Sequence, residues 1–404
     1  MHAESGKAQE QPGVVRSGVD RRALIAGGGA VLAAGVGAGV GAGVVALGRG
    51  RSTAAPQPSA AAAAPPFHGE RQAGVTAPQQ PATLLLALDL APAAVSDGRG
   101  VLRSLLGELT RVLAEATGGT ATDPRLRGGE PAQLSGLVGV GPGLAARLGL
   151  NVPPALAELP AFPGDRLEPA RGGGDLVVQL CAADRWPLTV VAELLAAAAR
   201  SAGATVRWTQ PGFLPRTPPG TTPRNLFGYK DGTANPDEAA AQQWVWGPPG
   251  PYRHGTVLVY RRIRMDTAGF AALPEDRRDL AMGRRLVDGT PLTGTAEHDD
   301  PDIYTKNPDG SYVIPNSAHV RLTSPRLDSG ARMLRRGYSY DDAPDDRGLL
   351  FCAFVRDPEQ FTRVQSRLAA KDALNPFLVH TASAVAYVLP GVPEGGVLGE
   401  GLWA

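Results

Sequence analysis

The sequence has very little cysteine, with only Cys181 and Cys352 in 404 residues. Each lies in an apolar run, which is typical of a buried and chemically inert thiol. A disulfide framework therefore does not hold this chain together. The sequence also lacks CxxC pairs and Cys/His clusters at zinc-ligand spacing, which argues against a structural zinc site.

The chain has no excess of either charge, because 40 Lys and Arg residues nearly cancel 39 Asp and Glu residues. A balanced chain has no strong electrostatic field with which to attract nucleic acid or anionic lipid, so we expect no nucleic-acid partner. The hydrophobic fraction of 43% is typical of a globular protein, and 404 residues exceed one ordinary domain. We expect two domains after an N-terminal tail.

Residues 1–66 form this tail, since they lack the periodicity of core helices or strands. The pair Arg21-Arg22 precedes an uncharged run over 23–48, a pattern typical of a twin-arginine export signal. The run could instead be a retained membrane anchor, although its Gly and Ala residues would gain little from hydrocarbon. An Ala/Pro-rich spacer follows over 52–66. We expect export by the twin-arginine translocase to an extracellular, periplasmic or cell-envelope location, with a cofactor already bound.

Hydrophobic patterning predicts alternating strands and helices in the rest of the chain. The predicted strands span 83–90, 136–140, 175–181, 205–208, 256–260, 349–355 and 384–389, with 205–208 at a sheet edge. The predicted longer helices span 101–116, 188–202 and 359–370, the second starting at Pro187. The Pro- and Gly-rich segment 211–236 is expected to form neither a helix nor a central strand.

The two halves of the chain resemble each other in their order of elements. Each places a buried strand that contains a cysteine before a helix and a closing strand. This order predicts an α+β fold of two ferredoxin-like domains with antiparallel sheets. We expect the tail at 1–66, the first domain at 67–215 and the second at 216–404.

Four blocks of sequence carry a family resemblance. They are 228–236 (GYKDGTANP), 67–75 (FHGERQAGV), 319–326 (HVRLTSPR), and 334–340 with 348–351 (LRRGYSY and GLLF). Together they resemble the dye-decolorizing haem peroxidases, in particular the exported deferrochelatase/peroxidase branch. The resemblance implies a barrel-like pair of ferredoxin-like domains that binds one haem b per chain in the C-terminal half.

The chain has six histidines from which an iron ligand could come. A neutral imidazole on iron needs its other ring nitrogen held by an acceptor, so the ligand belongs in an ordered segment beside carboxylates or carbonyls. His319 matches the family's ligand position, and His298 is the second choice. The resemblance makes His319 the metal ligand.

The resemblance also implies two catalytic residues on the other face of the haem. Asp231 would move a proton between the two oxygens of peroxide, and an ordinary carboxyl with a pKa near about 4 predicts an acidic optimum unless its pocket raises that pKa. Taken alone, Asp231-Gly232 is a common turn pair. Arg335 would supply fixed positive charge, and Arg336 would point away from the haem if this stretch is a strand.

Further residues match positions that contact the cofactor in the family. These are Gly232, Thr233, Ala234, Ser324, Pro325, Arg326 and Arg335, with Leu349 and Phe351 narrowing the pocket. Arg326 would pair with a haem propionate, or else is an ordinary solvated arginine. Leu349 and Phe351 are compatible with both a pocket wall and ordinary core.

The implied function is oxidation of organic donors, such as dyes and phenolic compounds, by hydrogen peroxide. Two alternatives remain open at this point: a deferrochelatase that removes iron from intact haem, and a haem-binding protein without turnover. All three need His319. A homo-oligomer is compatible with the neutral charge and with the family.

Overall fold

The structure is a computed structural model that describes residues 65–91, 98–127, 133–218 and 220–403. The twin-arginine pair and the uncharged run after it lie outside the described residues, as does nearly all of the tail at 1–66. Within the described ranges, no helix combines the length and the apolar character that a membrane span needs.

The described residues form nine strands that belong to one sheet. The strands are β1 (Ala82–Leu90), β2 (Ser135–Val140), β3 (Leu176–Ala182), β4 (Ala204–Phe213), β5 (Thr256–Met265), β6 (Leu334–Arg335), β7 (Tyr338–Ala343), β8 (Asp346–Val355) and β9 (Leu378–Val388). Their order is β5-β9-β2-β3-β1-β4-β7-β8-β6, and a further pairing between β5 and β8 closes the ring. The result is an antiparallel barrel, in which the short β6 pairs with β8 on the same edge as β7.

Helices surround this barrel and connect its strands. They are α1 (Ala73–Thr76), α2 (Gly98–Thr117), α3 (Pro142–Leu148), α4 (Arg185–Ser201), α5 (Glu238–Trp244), α6 (Thr267–Ala271), α7 (Glu275–Met282), α8 (His319–Leu322) and α9 (Glu359–Lys371). The apolar faces of α2 and α4 pack on the outside of β1, β2 and β3. On the other half of the barrel, α9 contributes Phe361 to a smaller cluster with β5, β8 and β9.

The ring consists of two four-stranded halves with the same strand order. The first half runs β2-β3-β1-β4 and the second runs β7-β8-β5-β9. This is the arrangement of a βαββαβ ferredoxin-like unit, so the α+β prediction with antiparallel, barrel-like sheets is confirmed. The boundary at 215/216 between separate domains stays a prediction.

Two narrow seams join the halves. At one seam β4 meets β7 through Phe213 and Ser339, and at the other β2 meets β9 through Gly139 and Val140. Both seams are short compared with the ladders inside each half, such as the pairing of β5 with β8 from Val257 to Arg264.

Strand alternation decides which side chains fill the barrel and which face outward. On β8, Leu350, Cys352 and Phe354 are buried in the interior cluster that both halves share. Tyr260 from β5 lies in the same cluster and stacks on Trp208, with ring centroids 5.3 Å apart. The interior is thus a packed core, and any site must lie on the outer face or at a loop.

Two predicted features of the first half were wrong in detail. The second helix begins at Arg185, because the Asp184 side chain accepts a hydrogen bond from the Trp186 amide and caps it, so Pro187 lies within the first turn. The strand predicted at a sheet edge is β4, which lies between β1 and β7 and extends through Pro211 to Phe213. Pro211 fits there because β4 pairs with β7 only at Phe213, which leaves Pro211 unpaired on that side.

Candidate active site

A large cavity lies between the outer face of the barrel and the helices α8 and α9. Its walls include outward-facing residues of β5, β8 and β9 on the sheet side and His319 on the helix side. The space free of atoms is about 1620 Å³ including the open mouth. The cavity therefore opens to solvent, and strands and helices form its remaining walls.

His319 is the first residue of α8 and its imidazole borders the cavity. Its Nδ1 lies 2.6 Å from the Asp372 carboxylate, which is almost fully buried at 2% exposure. An ionised carboxylate can only accept, so Nδ1 carries a proton, and in the neutral imidazole Nε2 keeps its lone pair. Burial alone would lower the pKa of His319, but the charge and hydrogen bond of Asp372 raise it above its usual value.

Asp231 lies at the cavity edge in a loop shaped by its neighbours. Its amide donates to the Pro223 carbonyl at 2.9 Å, and Gly232 follows with a φ of 115°, a conformation that glycine adopts without strain. Asn235 fixes the far end of the loop, because its side chain exchanges two 2.9 Å hydrogen bonds with the backbone of Arg335. The loop therefore holds Asp231 against β6.

Arg335 and Asp231 face each other across the sheet side of the cavity. An Arg335 guanidinium nitrogen lies 3.8 Å from an Asp231 carboxylate oxygen, too far for a hydrogen bond. Within the described part of the chain, the Asp231 carboxylate takes part in no hydrogen bond. Arg336 points the other way and donates to the carbonyls of Val75 and Ala77, which confirms the orientation predicted from alternation.

Lys230, next to Asp231, is neutralised by a different partner. Its ammonium group donates to Glu297, and both side chains are mostly buried. Burial would raise the pKa of Glu297, but hydrogen bonds from Lys230 and Thr222 lower it, so the pair stays ionised. Arg335 is therefore the cation that faces Asp231.

The structure brings most of the predicted site residues to this one cavity. Those that line it are Asp231, Gly232, Thr233, Ala234, His319, Pro325, Arg335, Leu349 and Phe351. Ser324 instead caps the short turn after α8, where its hydroxyl accepts from the Arg326 amide. The Arg326 side chain is 43% exposed and pairs with Asp300 at 2.5 Å. His298 is also turned to solvent, at 66% exposure.

Several residues of the site were missed by reasoning from the sequence. Asp372 stands far from His319 in the sequence, and no spacing rule links them. Asn235 lies inside the 228–236 block, and its place in that block was the only signal available. Arg261 and His380 reach the cavity wall because β5 and β9 present alternate side chains outward, and strand alternation could have suggested them.

The residues around the cavity fit a haem. A mostly apolar slot bounded by residues such as Ile263, Leu349 and Phe351 suits the apolar body of a macrocycle. His319 offers one imidazole nitrogen to the slot, while Asp372 holds the other, as iron-bound histidines require. Arg261 adds a buried guanidinium at the wall with unpartnered N–H groups, which suits an anionic substituent.

Two family models match consecutive parts of the chain. Residues 72–214 match the model described as Dyp-type peroxidase, N-terminal, and residues 222–393 match Dyp-type peroxidase, C-terminal. A dye-decolorizing peroxidase of Thermobifida fusca (strain YX) is 38% identical over 360 residues, which is 82% of this chain and 83% of that protein. A deferrochelatase of Escherichia coli (strain K12) is 34% identical over 366 residues, covering 81% and 84%.

Solved structures show the same relationship. A DyP-type peroxidase from Streptomyces coelicolor has a TM-score of 0.78 and 35% identity, with 83% of this chain and 95% of that chain covered. The oxyferrous complex of DtpA from Streptomyces lividans has a TM-score of 0.78 and 35% identity, with 84% and 96% covered. DyP-type peroxidases bind haem, and His319 borders the cavity described above. The chain belongs to the Dyp-type peroxidase family, whose members are haem-dependent oxidoreductases that act on peroxide.

Proposed function

We propose that the protein oxidises organic donors, such as dyes and phenolic compounds, with hydrogen peroxide at this cavity. The observation that carries the proposal is the meeting of three groups on one apolar slot: an unbonded carboxylate at Asp231, a guanidinium at Arg335, and an imidazole at His319 held by Asp372. The chemistry that bound haem supplies is the reduction of peroxide followed by one-electron oxidation of a donor.

Asp231 and Arg335 have separate roles in this proposal. The Asp231 carboxylate, free of hydrogen bonds to described residues, accepts a proton from one peroxide oxygen and returns it to the oxygen that leaves. Arg335 keeps its charge at every working pH and stabilises the negative charge that develops as the O–O bond breaks. Asn235 keeps both in place, since it ties the Asp231 loop to the Arg335 backbone.

His319 has the role of iron ligand in this proposal, and apolar side chains narrow the cavity beside it. Asp372 fixes the ring orientation of His319 and makes Nε2 a better donor to iron. Leu349 and Phe351 share a face of β8 and narrow the cavity on the sheet side. Charges inside such a slot interact more strongly than they would in water.

The test is Asp231→Asn, which keeps the size of the side chain and removes its base. We expect an unchanged haem absorption spectrum and a loss of about 10²–10⁴-fold in the peroxide-dependent kcat/KM for a dye, the usual share of general acid–base catalysis. Asp341→Asn is the matched control, because Asp341 pairs with Arg347 on an exposed part of β7. Full turnover by Asp231→Asn would contradict the assigned role.

Iron removal from haem is the second candidate function, favoured by the 34% identity to proteins named deferrochelatase. Iron removal would use the same cavity, but its product would be free porphyrin rather than an oxidised donor. Incubating the protein with haem and measuring free, intact protoporphyrin by fluorescence distinguishes the two. Porphyrin formation by the wild-type chain would establish this activity, and its absence under both oxidising and reducing conditions would exclude it.

We also propose export by the twin-arginine translocase, which the Arg21-Arg22 pair and the uncharged run after it support. Replacing both arginines with lysine should retain the protein in the cytoplasm with its haem bound. Mass spectrometry of the exported form would show whether the tail is cleaved or kept as an anchor. Export of the Lys-Lys variant would contradict the proposal.

A further inference from the structure

Arg261 is a buried cation in the cavity wall that the roles above do not use. It lies on β5, opposite Phe351 on β8, and its side chain is only 1% exposed. One guanidinium nitrogen, Nη2, donates to Asp165 at 2.5 Å. Its Nε and Nη1 have no hydrogen-bond partner within the residues that the structure describes.

The ion pair with Asp165 leaves both partners incompletely satisfied. The second Asp165 carboxylate oxygen is also buried without a partner in the described ranges. Buried N–H groups that lack an acceptor cost free energy, and natural cores rarely contain them. Arg261 also borders the cavity, so the missing acceptor can come from a molecule bound there.

The neighbouring side chains in the described ranges do not accept hydrogen bonds from Nε and Nη1 of Arg261. His380 lies near Asp165 and also borders the cavity. Burial and the charge of Arg261 lower the pKa of His380 to about 3, so it is neutral at physiological pH. The carboxylates that line the described cavity wall are Asp231, which faces Arg335, and Asp372, which is bonded to His319.

We propose that Arg261 binds a propionate carboxylate of haem inside the cavity. Haem is apolar over most of its surface and carries two carboxylates, so a guanidinium whose Nε and Nη1 lack an acceptor complements one of them in an apolar slot. A planar guanidinium matches a carboxylate with two parallel hydrogen bonds, which an ammonium group cannot reproduce. The inference rests on haem occupying the cavity and assigns Arg261 to orienting it.

The experiment compares haem with its dimethyl ester, which lacks both carboxylate charges. Apoprotein is titrated with each compound, and binding is followed by the Soret band. Arg261→Met should weaken haem binding by about ten- to a hundredfold, the value of a charge-assisted hydrogen bond, while leaving the affinity for the ester unchanged. The ratio of the two affinities therefore falls in the variant.

Two further variants keep the test interpretable. Arg261→Met combined with Asp165→Asn removes both charges, so that no unpaired buried carboxylate remains to unfold the chain. Arg264→Met is the matched control, because Arg264 also lies on β5 but is not part of the cavity wall. It should leave both affinities unchanged.

The outcomes separate this inference from the proposed function. An equal loss of affinity for haem and ester, or an unchanged ratio, would overturn the role of Arg261. An unchanged ratio together with a higher KM for a carboxylated donor would assign the anion to a substrate, which also overturns the haem assignment. Failure of wild-type apoprotein to form any Soret band would instead refute the haem cavity itself.

Discussion

Replacing Asp372 with asparagine tests how the site holds His319, the proposed iron ligand. The Asp372 carboxylate accepts two hydrogen bonds, from His319 Nδ1 at 2.6 Å and from the Leu374 amide at 2.9 Å. An amide side chain has a single acceptor oxygen, so one of these bonds is lost whichever way the asparagine turns. When the bond to His319 is lost, a charge-assisted hydrogen bond of about 1.5–3 kcal/mol disappears.

This loss should appear in haem binding and in redox behaviour. Outer partners of metal-bound histidines typically contribute about 10–100-fold to affinity, which agrees with the energy of one such bond. We expect haem to dissociate from Asp372→Asn about 10–100 times faster, measured by transfer to an excess of a haem-scavenging protein. The reduction potential should rise, because a less basic imidazole stabilises the ferric state less.

Asp328→Asn is the matched control for this prediction. Asp328 is also almost fully buried, at 5% exposure, and accepts a 2.9 Å hydrogen bond from Arg367 on α9. It is not part of the cavity wall, so its loss should affect stability without changing the reduction potential. If Asp372→Asn matched this control in both haem dissociation and potential, the role given to the His319–Asp372 pair would be refuted.

Two other predictions concern the barrel. Burial would raise the pKa of Asp346, but the hydrogen bond from Arg262 lowers it. The ionised Asp346 carboxylate therefore stabilises the fold above its unfolded-state pKa of about 4. This stabilisation is lost as the pH falls through the lower pKa of Asp346 in the folded state. Urea titrations of the wild type and of Asp346→Asn give the difference in their free energies of unfolding. This difference should stay constant from neutral pH down to about 4 and shrink below it. A difference that does not depend on pH would contradict the stabilising role of the Asp346 charge. In Gly348→Ala the new Cβ would lie 1.9 Å from the Ile263 carbonyl oxygen, so we expect destabilisation by about 1–3 kcal/mol or more. Gly107→Ala, in open space on α2, should instead stabilise by about 0.5–1 kcal/mol, and equal effects of the two alanines would refute the steric argument.

The strongest hydrophobic signals predicted the elements that form the barrel core. β1 and β8 each contain a long apolar run, and both strands were located from the sequence to within a few residues. β7 (Tyr338–Ala343) was missed, because its buried part is only three residues long and its end is acidic. Its place in the ring comes from pairing with β8, a tertiary contact that local composition does not encode.

The residues of the candidate site likewise include some that the sequence predicted and some that it did not. A loop motif and a family resemblance identified Asp231, Arg335 and His319, and the structure places all three on one cavity. Asp372 and Arg261 had no local signal, because an aspartate after a helix and an arginine in a strand are ordinary in sequence. Their importance comes from what the fold places beside them, which is His319 in one case and an open cavity in the other.

The two short seams of the barrel have a consequence for folding during synthesis. The N-terminal half leaves the ribosome first, with β2 and β4 as open edges until β9 and β7 dock on them. Open edges accept strands from any chain, so two nascent copies can exchange C-terminal halves and form a swapped dimer with the same seams. Slow translation would favour that exchange because the edges of the first half stay open for longer. High expression would favour it because unfinished chains then meet more often.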